Sequence, residues 1–404
     1  MKKVLAIFGT RPEAIKMAPV VLRLREAGGF QVKVAVTAQH RQMLDQVMSL
    51  FGIVPDYDLD LMRSDQDLFD ITIRVLGGLK EVLAQERPDL ILVHGDTTTT
   101  LAAALAAYYC RLPVGHVEAG LRTGDKYRPY PEELNRRLTG ALADYHFAPT
   151  PWARDNLLAE GAPPERIWVT GNTVIDALQF IAARVDGDKE HWERYFARHH
   201  GLALDGRRLI LVTGHRRENF GAGFKNICLT LRQIMETYPQ VHLVYPVHLN
   251  PQVQKPVYEI LCASGAAREG TGGALHLEGP GGGRLSLLPP LDYAPFVYLM
   301  TRSYLVLTDS GGIQEEAPAL GKPVLVMREV TERPEGVWAG TVKLVGTTRE
   351  TILAEVKDLL ENSGHYQAMA QAKNPYGDGC ASQRIVVILD QQLKVIEGLS
   401  QLKA

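Results

Sequence analysis

Short apolar runs alternate along this chain with longer segments in which apolar residues recur every three or four positions. The runs fall at residues 4–8, 32–37, 90–95, 113–119, 145–148 and 167–170 and, in a second series, at 209–213, 241–247, 304–308, 324–327 and 342–345. Runs this short, bounded by glycine, proline and aspartate, read as buried strands. The periodic segments between them, such as 41–51, 68–84 and 131–143, read as amphipathic helices. Repeated strand–helix alternation is the mark of an α/β fold built on doubly wound parallel sheets. Two Rossmann-like parallel-sheet domains facing a cleft are therefore expected. Residues 1–171 form the first, with the candidate carboxylates. Residues 172–207 form a helical connection, 208–380 the second domain, and 381–404 a helix that crosses back to the first. Residues 264–288 break the alternation with G-T-G-G-A and G-P-G-G-G-R. Gly-rich chain loses much entropy on ordering, so a flexible surface insertion is expected there rather than a phosphate loop.

The stretch Y-L-V-L-T-D-S-G-G-I-Q-E-E-A-P at residues 304–318 is the most informative. It predicts a strand that leaves through Ser310, Gly311 and Gly312 into a helix. The unpaired N–H groups and the positive end of the helix dipole then suit a phosphate. Glu315 and Glu316 follow within one turn, placed for ribose hydroxyls. G-T-R-P-E-A-I-K at residues 9–16 repeats the strand, glycine and helix pattern, with Pro12 in the first turn.

In open α/β sheets, ligands sit beyond the carboxyl ends of the strands. Collecting the residues there gives Arg11 and Lys16, Asp96, Glu118, Glu132, His215, His248 and the Ser310 loop. Cations and glycines suit a diphosphate, and the carboxylates suit a sugar. Each carboxylate also has a structural reading. Asp96 can cap a helix starting at Thr97, Glu118 can pair with Arg122 or Arg136, and Glu132 can answer a helix dipole. His215 opens a run of cations, of which Arg216 and Arg217 can be simply solvated. Asp56, Asp58 and Asp60 have a cation-like spacing, but no glycine and glutamate complete a calcium loop, and a solvated turn is the expectation.

Composition narrows the partners. Lys+Arg 44 against Asp+Glu 46 leaves no basic excess, which argues against nucleic acid. The four cysteines form no C-x-x-C pair, which argues against a disulfide framework or a zinc site and fits a reducing cytoplasm. The apolar N-terminal run stops at Phe8, so no signal peptide is expected, and no segment reaches the about 18 apolar residues of a membrane span. H-E-x-x-H, a Walker lysine loop and G-x-G-x-x-G are all lacking, so neither metal nor nicotinamide cofactor is expected.

Taken together, the motifs resemble the bacterial non-hydrolysing UDP-N-acetylglucosamine 2-epimerases. The likeness runs through G-T-R-P-E-A-I-K-M-A-P (9–19), H-G-D-T (94–97), G-H-V-E-A-G-L-R-T (115–123), P-E-E-L-N-R (131–136), G-N-T-V-I-D (171–176), H-R-R-E-N-F-G (215–221), Y-P-V-H-L-N-P (245–251), T-D-S-G-G-I-Q-E-E-A-P (308–318), T-E-R-P-E-G (331–336) and N-P-Y-G-D-G (374–379). It implies a glycosyltransferase-B type of fold, a homodimer, no cofactor, and interconversion of UDP-GlcNAc and UDP-ManNAc through UDP and 2-acetamidoglucal. By the same resemblance Asp96, Glu118 and Glu132 are the acid/base candidates and His215 acts near the departing phosphate. Arg11, Lys16, Arg136 and Ser310, Gly311 and Gly312 hold the diphosphate, Glu316 the ribose, and Phe296 stacks on uracil, with His248 beside the substrate. A second UDP-GlcNAc bound as activator is implied at Gln39, Gln42 and Gln66, although Asp65 stands where a basic residue is expected. A hydrolysing epimerase and a glycosyltransferase of the same fold are the rival readings.

Overall fold

The computed structural model describes residues 1–401 apart from 38–40, 62, 64–65 and 265–266, and of 41–43, 264 and 395–401 the backbone alone. The chain divides into two compact units, Met1–Ala177 with Tyr376–Ala404, and Leu178–Pro375.

The first unit carries seven strands: β1 (Lys2–Phe8), β2 (Phe30–Val36), β3 (Tyr57–Asp58), β4 (Leu90–His94), β5 (Val114–Val117), β6 (Tyr145–Ala148) and β7 (Ile167–Val169). All are parallel, in the order β3-β2-β1-β4-β5-β6-β7. The order reverses direction at β1 and β4, so their carboxyl ends flank a topological switch. The centre of the sheet is buried because Leu5, Ile7, Ile91 and Val93 pack against Leu79, Val82, Ala102 and Ala106. Each such buried aliphatic contributes about 1.5–3 kcal/mol. Helix starts are fixed locally. Thr10 caps Arg11–Glu26 in a capping box with Glu13, and Asp67 caps Leu68–Glu86 in another with Asp70. Helix Ala381–Gln401 packs on Arg11–Glu26, and its start is held by Asp176, which accepts hydrogen bonds from the Ala381 and Ser382 amides at 3.1 and 2.8 Å.

The second unit carries β8 (Arg208–Thr213), β9 (Val241–Pro246), β10 (Arg268–Glu269), β11 (Leu275–Glu278), β12 (Arg284–Leu288), β13 (Leu305–Thr308), β14 (Val324–Val326) and β15 (Val342–Leu344). Their order is β10-β11-β12-β9-β8-β13-β14-β15, parallel from β12 onward and antiparallel at β10 and β11. Here β8 and β13 flank the switch. No helix among the described residues is long and apolar enough to cross a membrane.

The described part of the segment, residues 267–288, corrects the sequence reading. It is no surface insertion: β12 runs parallel to β9 inside the sheet, with Leu285, Leu287 and Leu288 buried. The glycines serve close approach instead of flexibility. A Cβ at Gly279 would lie 2.7 Å from the Met235 carbonyl oxygen, and one at Gly283 would lie 2.6 Å from that of Tyr238. The turn between β11 and β12 therefore lies directly against the end of helix Ala222–Thr237. By contrast, Gly77 faces open space within helix Leu68–Glu86.

Gly283→Ala is accordingly expected to lower stability by about 1–3 kcal/mol through overpacking. Gly77→Ala should raise it by about 0.5–1 kcal/mol. Urea unfolding of the two variants reads both signs.

Candidate active site

In the first unit the candidates gather at the carboxyl ends of β1, β4 and β5. Glu13, 2% exposed, ties two of these ends together. Its carboxylate accepts hydrogen bonds from the amides of Gly9 (3.0 Å) and Thr10 (2.7 Å) and from the hydroxyls of Thr97 (2.7 Å) and Thr100 (3.0 Å). Arg11, at the first position of its helix, is half-buried and has no hydrogen bond or ion pair among the described residues.

Asp96 does not cap the helix that follows. Thr97 does so, accepting from the Thr100 amide at 3.2 Å. The Asp96 carboxylate instead accepts from Arg136 Nη2 at 2.5 Å, and its carbonyl from Asn135 Nδ2 at 2.9 Å. Both donors lie on helix Glu132–Leu142. The turn is steadied by His116, whose Nε2–H donates to the Gly95 carbonyl at 2.7 Å. Burial pushes this imidazole down to about 3, so it stays neutral.

Glu118 has a left-handed backbone, φ 62°, which is strained for a residue with a side chain. Its carboxylate is 7% exposed and pairs closely with Lys16, not with Arg122 or Arg136. Arg122 is taken by Glu160 at 2.6 Å and Arg136 by Asp96 and Glu133. Asn172 Nδ2 also donates to Glu118 Oε2, at 2.8 Å, and His94 Nε2 lies 3.8 Å from it. Burial alone would raise this carboxyl, but Lys16 and His94 outweigh it and hold it well below the usual range.

Glu132 opens its helix, and its Oε2 is buried with no hydrogen-bond partner among the described residues. Its neighbour Glu133 is fully satisfied by the Thr123 and Gly124 amides at 3.1 and 3.2 Å. An unmet buried polar atom costs about 1–3 kcal/mol, a cost that Glu132 bears and Glu133 does not. His94 bears it at both ring nitrogens.

In the second unit the organising acid is Asp309, fully buried after β13. It accepts from the amides of His215 (2.9 Å) and Arg216 (2.8 Å) and from Asn219 Nδ2 (3.2 Å), joining the ends of β8 and β13. The His215 ring lies 3.6 Å from Asp309 and stacks on His248 at 5.4 Å between centroids. Burial lowers its basicity, while Asp309 pulls the other way.

Ser310 starts helix Gly311–Ala319 without a side-chain cap bond. The Arg333 guanidinium lies so near that a Cβ at Gly311 would be 2.8 Å from its Cζ. Glu315 is not available to a ribose, because it is buried against Arg333 Nε at 2.6 Å. Glu316 remains beside Gly312, oriented by the Tyr293 hydroxyl at 2.7 Å. Phe296 is half-buried on the same helix as Tyr293. Around these lie Arg216, Arg328 and Arg333, all against Glu332 at 3.2, 2.7 and 2.8 Å. Burial would raise Glu332, but the three guanidiniums bring it down to about 2.

Gln66 accepts from the Arg63 amide at 3.2 Å. Gln39 and Asp65 lie outside the described residues, and Gln42 is described only as backbone of helix Arg41–Phe51. Asp56 is structural, accepting from Lys33 Nζ at 2.8 Å and the Val34 amide at 2.9 Å. Sequence reasoning missed Glu13, His94, His116, Asp309, Arg333 and Tyr293. Only Asp309 carried a signal, being the residue between a buried strand and the Ser310 turn.

Two doubly wound sheets, with acids, cations and a glycine-opened helix at their switch points, define an α/β protein of the glycosyltransferase-B type of fold. The kitacinnamycin glycotransferase shares that architecture, with a TM-score of 0.61 over 96% of this chain and 98% of its own at 13% identity. The chain belongs to the UDP-N-acetylglucosamine 2-epimerase family, whose sequence model matches residues 22–390. It is 56% identical over 387 residues to the UDP-N-acetylglucosamine 2-epimerase of Salmonella typhimurium, covering 96% of this chain and 98% of that one. It is also similar to the crystal structure of the Neisseria meningitidis UDP-GlcNAc 2-epimerase bound to UDP-GlcNAc, at 49% identity and TM-score 0.84 over 96% and 100% of the two chains.

Removing the buried acceptor by Asp309→Ala leaves its donors unmet and should destabilise the protein by about 3 kcal/mol in urea unfolding. Acid should act in two stages. His116, His146 and His242 are buried, and desolvation lowers them to about 3, 4 and 4. The unfolded chain takes up their protons first, so stability is full above about pH 6.5 and falls as pH drops toward 4. Glu332, depressed to about 2, adds a second loss from its ordinary value of 4.5 downward. Thermal unfolding from pH 8 to pH 3 reads both.

Proposed function

We propose that the protein interconverts UDP-GlcNAc and UDP-ManNAc by inversion at C2, without hydrolysis. In the forward direction a carboxylate takes the C2 proton while the C1–O bond breaks and the electron pair leaves with UDP, giving 2-acetamidoglucal. Protonation of C2 from the opposite face and return of the UDP oxygen to C1 complete the inversion. The C2 proton is weakly acidic, so its loss must be coupled to departure of the diphosphate. Cations and N–H dipoles at the phosphate favour that departure.

The observation that carries this reading is the pair of acids Asp96 and Glu118 at the carboxyl ends of β4 and β5, with Glu132 at the start of the helix whose Asn135 and Arg136 hold Asp96. Asp96 and Glu118 are each paired with a cation, and Glu132 keeps a buried oxygen unpartnered. A glycosyl transfer needs no base at C2 and gives no reason for such a set. Lys16 and Arg136 are engaged by Glu118 and Asp96, and Arg11, which has no ion pair among the described residues, is left for phosphate. In the second unit the turn at Ser310, Gly311 and Gly312 holds the diphosphate and His215, beside His248, meets the leaving oxygen. Glu316 takes the ribose and Phe296 the uracil. The family relationship supports the substrate: the similar Neisseria enzyme was crystallised with UDP-GlcNAc. We further propose a homodimer, for which the exposed pairs Phe69 and Ile73, and Leu134 and Leu138, offer apolar surface. The product would supply ManNAc for cell-envelope polysaccharide.

Incubation with UDP-GlcNAc alone should yield UDP-ManNAc at equilibrium. Free ManNAc with UDP would assign hydrolysis instead, turnover only with an acceptor would assign glycosyl transfer, and binding without product would assign a sensor. Asp96→Asn should lower kcat by at least about 10²-fold. UDP binding by calorimetry should be unchanged, and normal turnover in this variant would remove Asp96 from the mechanism.

A further inference from the structure

His94 is the last residue of β4, 3% exposed, and neither ring nitrogen has a hydrogen-bond partner among the described residues. An imidazole in that state is retained at a cost unless it serves a neighbour. The neighbour is Glu118, whose Oε2 lies 3.8 Å from His94 Nε2. Every contact Glu118 makes falls on that same oxygen: Lys16 from helix Arg11–Glu26, Asn172 beyond β7, and His94 from β4. Oε1 faces Gly95, where a Cβ would lie 3.8 Å away, and makes no hydrogen bond among the described residues.

We propose that His94 is a positioning residue that acts through Glu118. With Lys16 and Asn172 it holds Oε2, so that Oε1 is the oxygen presented for proton transfer. The three holders approach from different elements, which fixes both the rotamer and the charge of the carboxylate. Lys16 and His94 act on Glu118, and His94 also acts on His116 of β5. The buried carboxyl would otherwise drift toward its neutral form, and His94 is one of the two groups that oppose this. The proposal rests on the acid/base role given to Glu118 above.

The test compares His94→Phe, which keeps a ring without nitrogens, and His94→Gln, which keeps an N–H donor. In His94→Phe, kcat should fall by about 10- to 10²-fold, as for a small misplacement of a reacting group. KM for UDP-GlcNAc should be unchanged, and the acidic limb of the kcat/KM profile should move to higher pH because burial acts on Glu118 less opposed. His94→Gln should recover most of kcat and return the limb toward the wild-type position, and it carries the test if the phenylalanine variant does not fold. An unchanged kcat and an unmoved limb in both variants would overturn the proposal. If the wild-type protein itself gave no epimer, the functional reading would fail separately. Carbon-13 NMR titration of the Glu118 carboxyl would then decide the positioning role alone. A rise in its midpoint in the variants supports the role, and an equal midpoint overturns it.

Discussion

The ion pair between Lys16 and Glu118 is the constraint on which the first unit depends. A carboxylate 7% exposed to solvent is costly to hold ionised, and breaking such a pair by removing one partner costs more than the pair itself contributes. The pair joins residues from β1's helix and β5's end, 102 positions apart, and so fixes where those two elements meet. It also explains the left-handed backbone at Glu118. The strain aims the side chain back across the strand ends toward Lys16, and the ion pair and the Asn172 hydrogen bond hold it there.

The two units solve the same problem in the same way. At each switch a buried acid, Glu13 in one and Asp309 in the other, accepts hydrogen bonds from the amides and side chains of adjacent strand-end loops. These acids serve as scaffold. The groups left with capacity lie one layer out. Among the described residues they are Oε1 of Glu118, Oε2 of Glu132, the Arg11 guanidinium and the N–H groups of Gly311 and Gly312, the Ser310 amide being taken by Thr308 Oγ1 at 2.9 Å.

Much of this was legible in the chain. Short apolar runs between periodic segments identify the parallel sheets, and collecting residues after each strand finds Asp96, Glu118, Glu132, His215 and Ser310. Pairing was not legible. Glu118 has arginines nearby in sequence, yet its partner comes from a helix that only the β1, β4 and β5 adjacency brings near. Residues 264–288 misled for a different reason. Glycines required for contact with the Met235 and Tyr238 carbonyls look the same in sequence as glycines in a flexible loop, and they hid the buried leucines of β12. His94 was invisible because a histidine ending an apolar strand is usually part of the core, and only its unmet nitrogens distinguish it.

The central claim is that side-chain acids move a proton at C2 of a UDP-linked hexose. It is tested most directly by following UDP-GlcNAc by NMR in D2O with the purified protein. Deuterium should enter C2 in step with the appearance of UDP-ManNAc, with no free sugar accumulating. A manno product that retains its original C2 hydrogen throughout would contradict the claim.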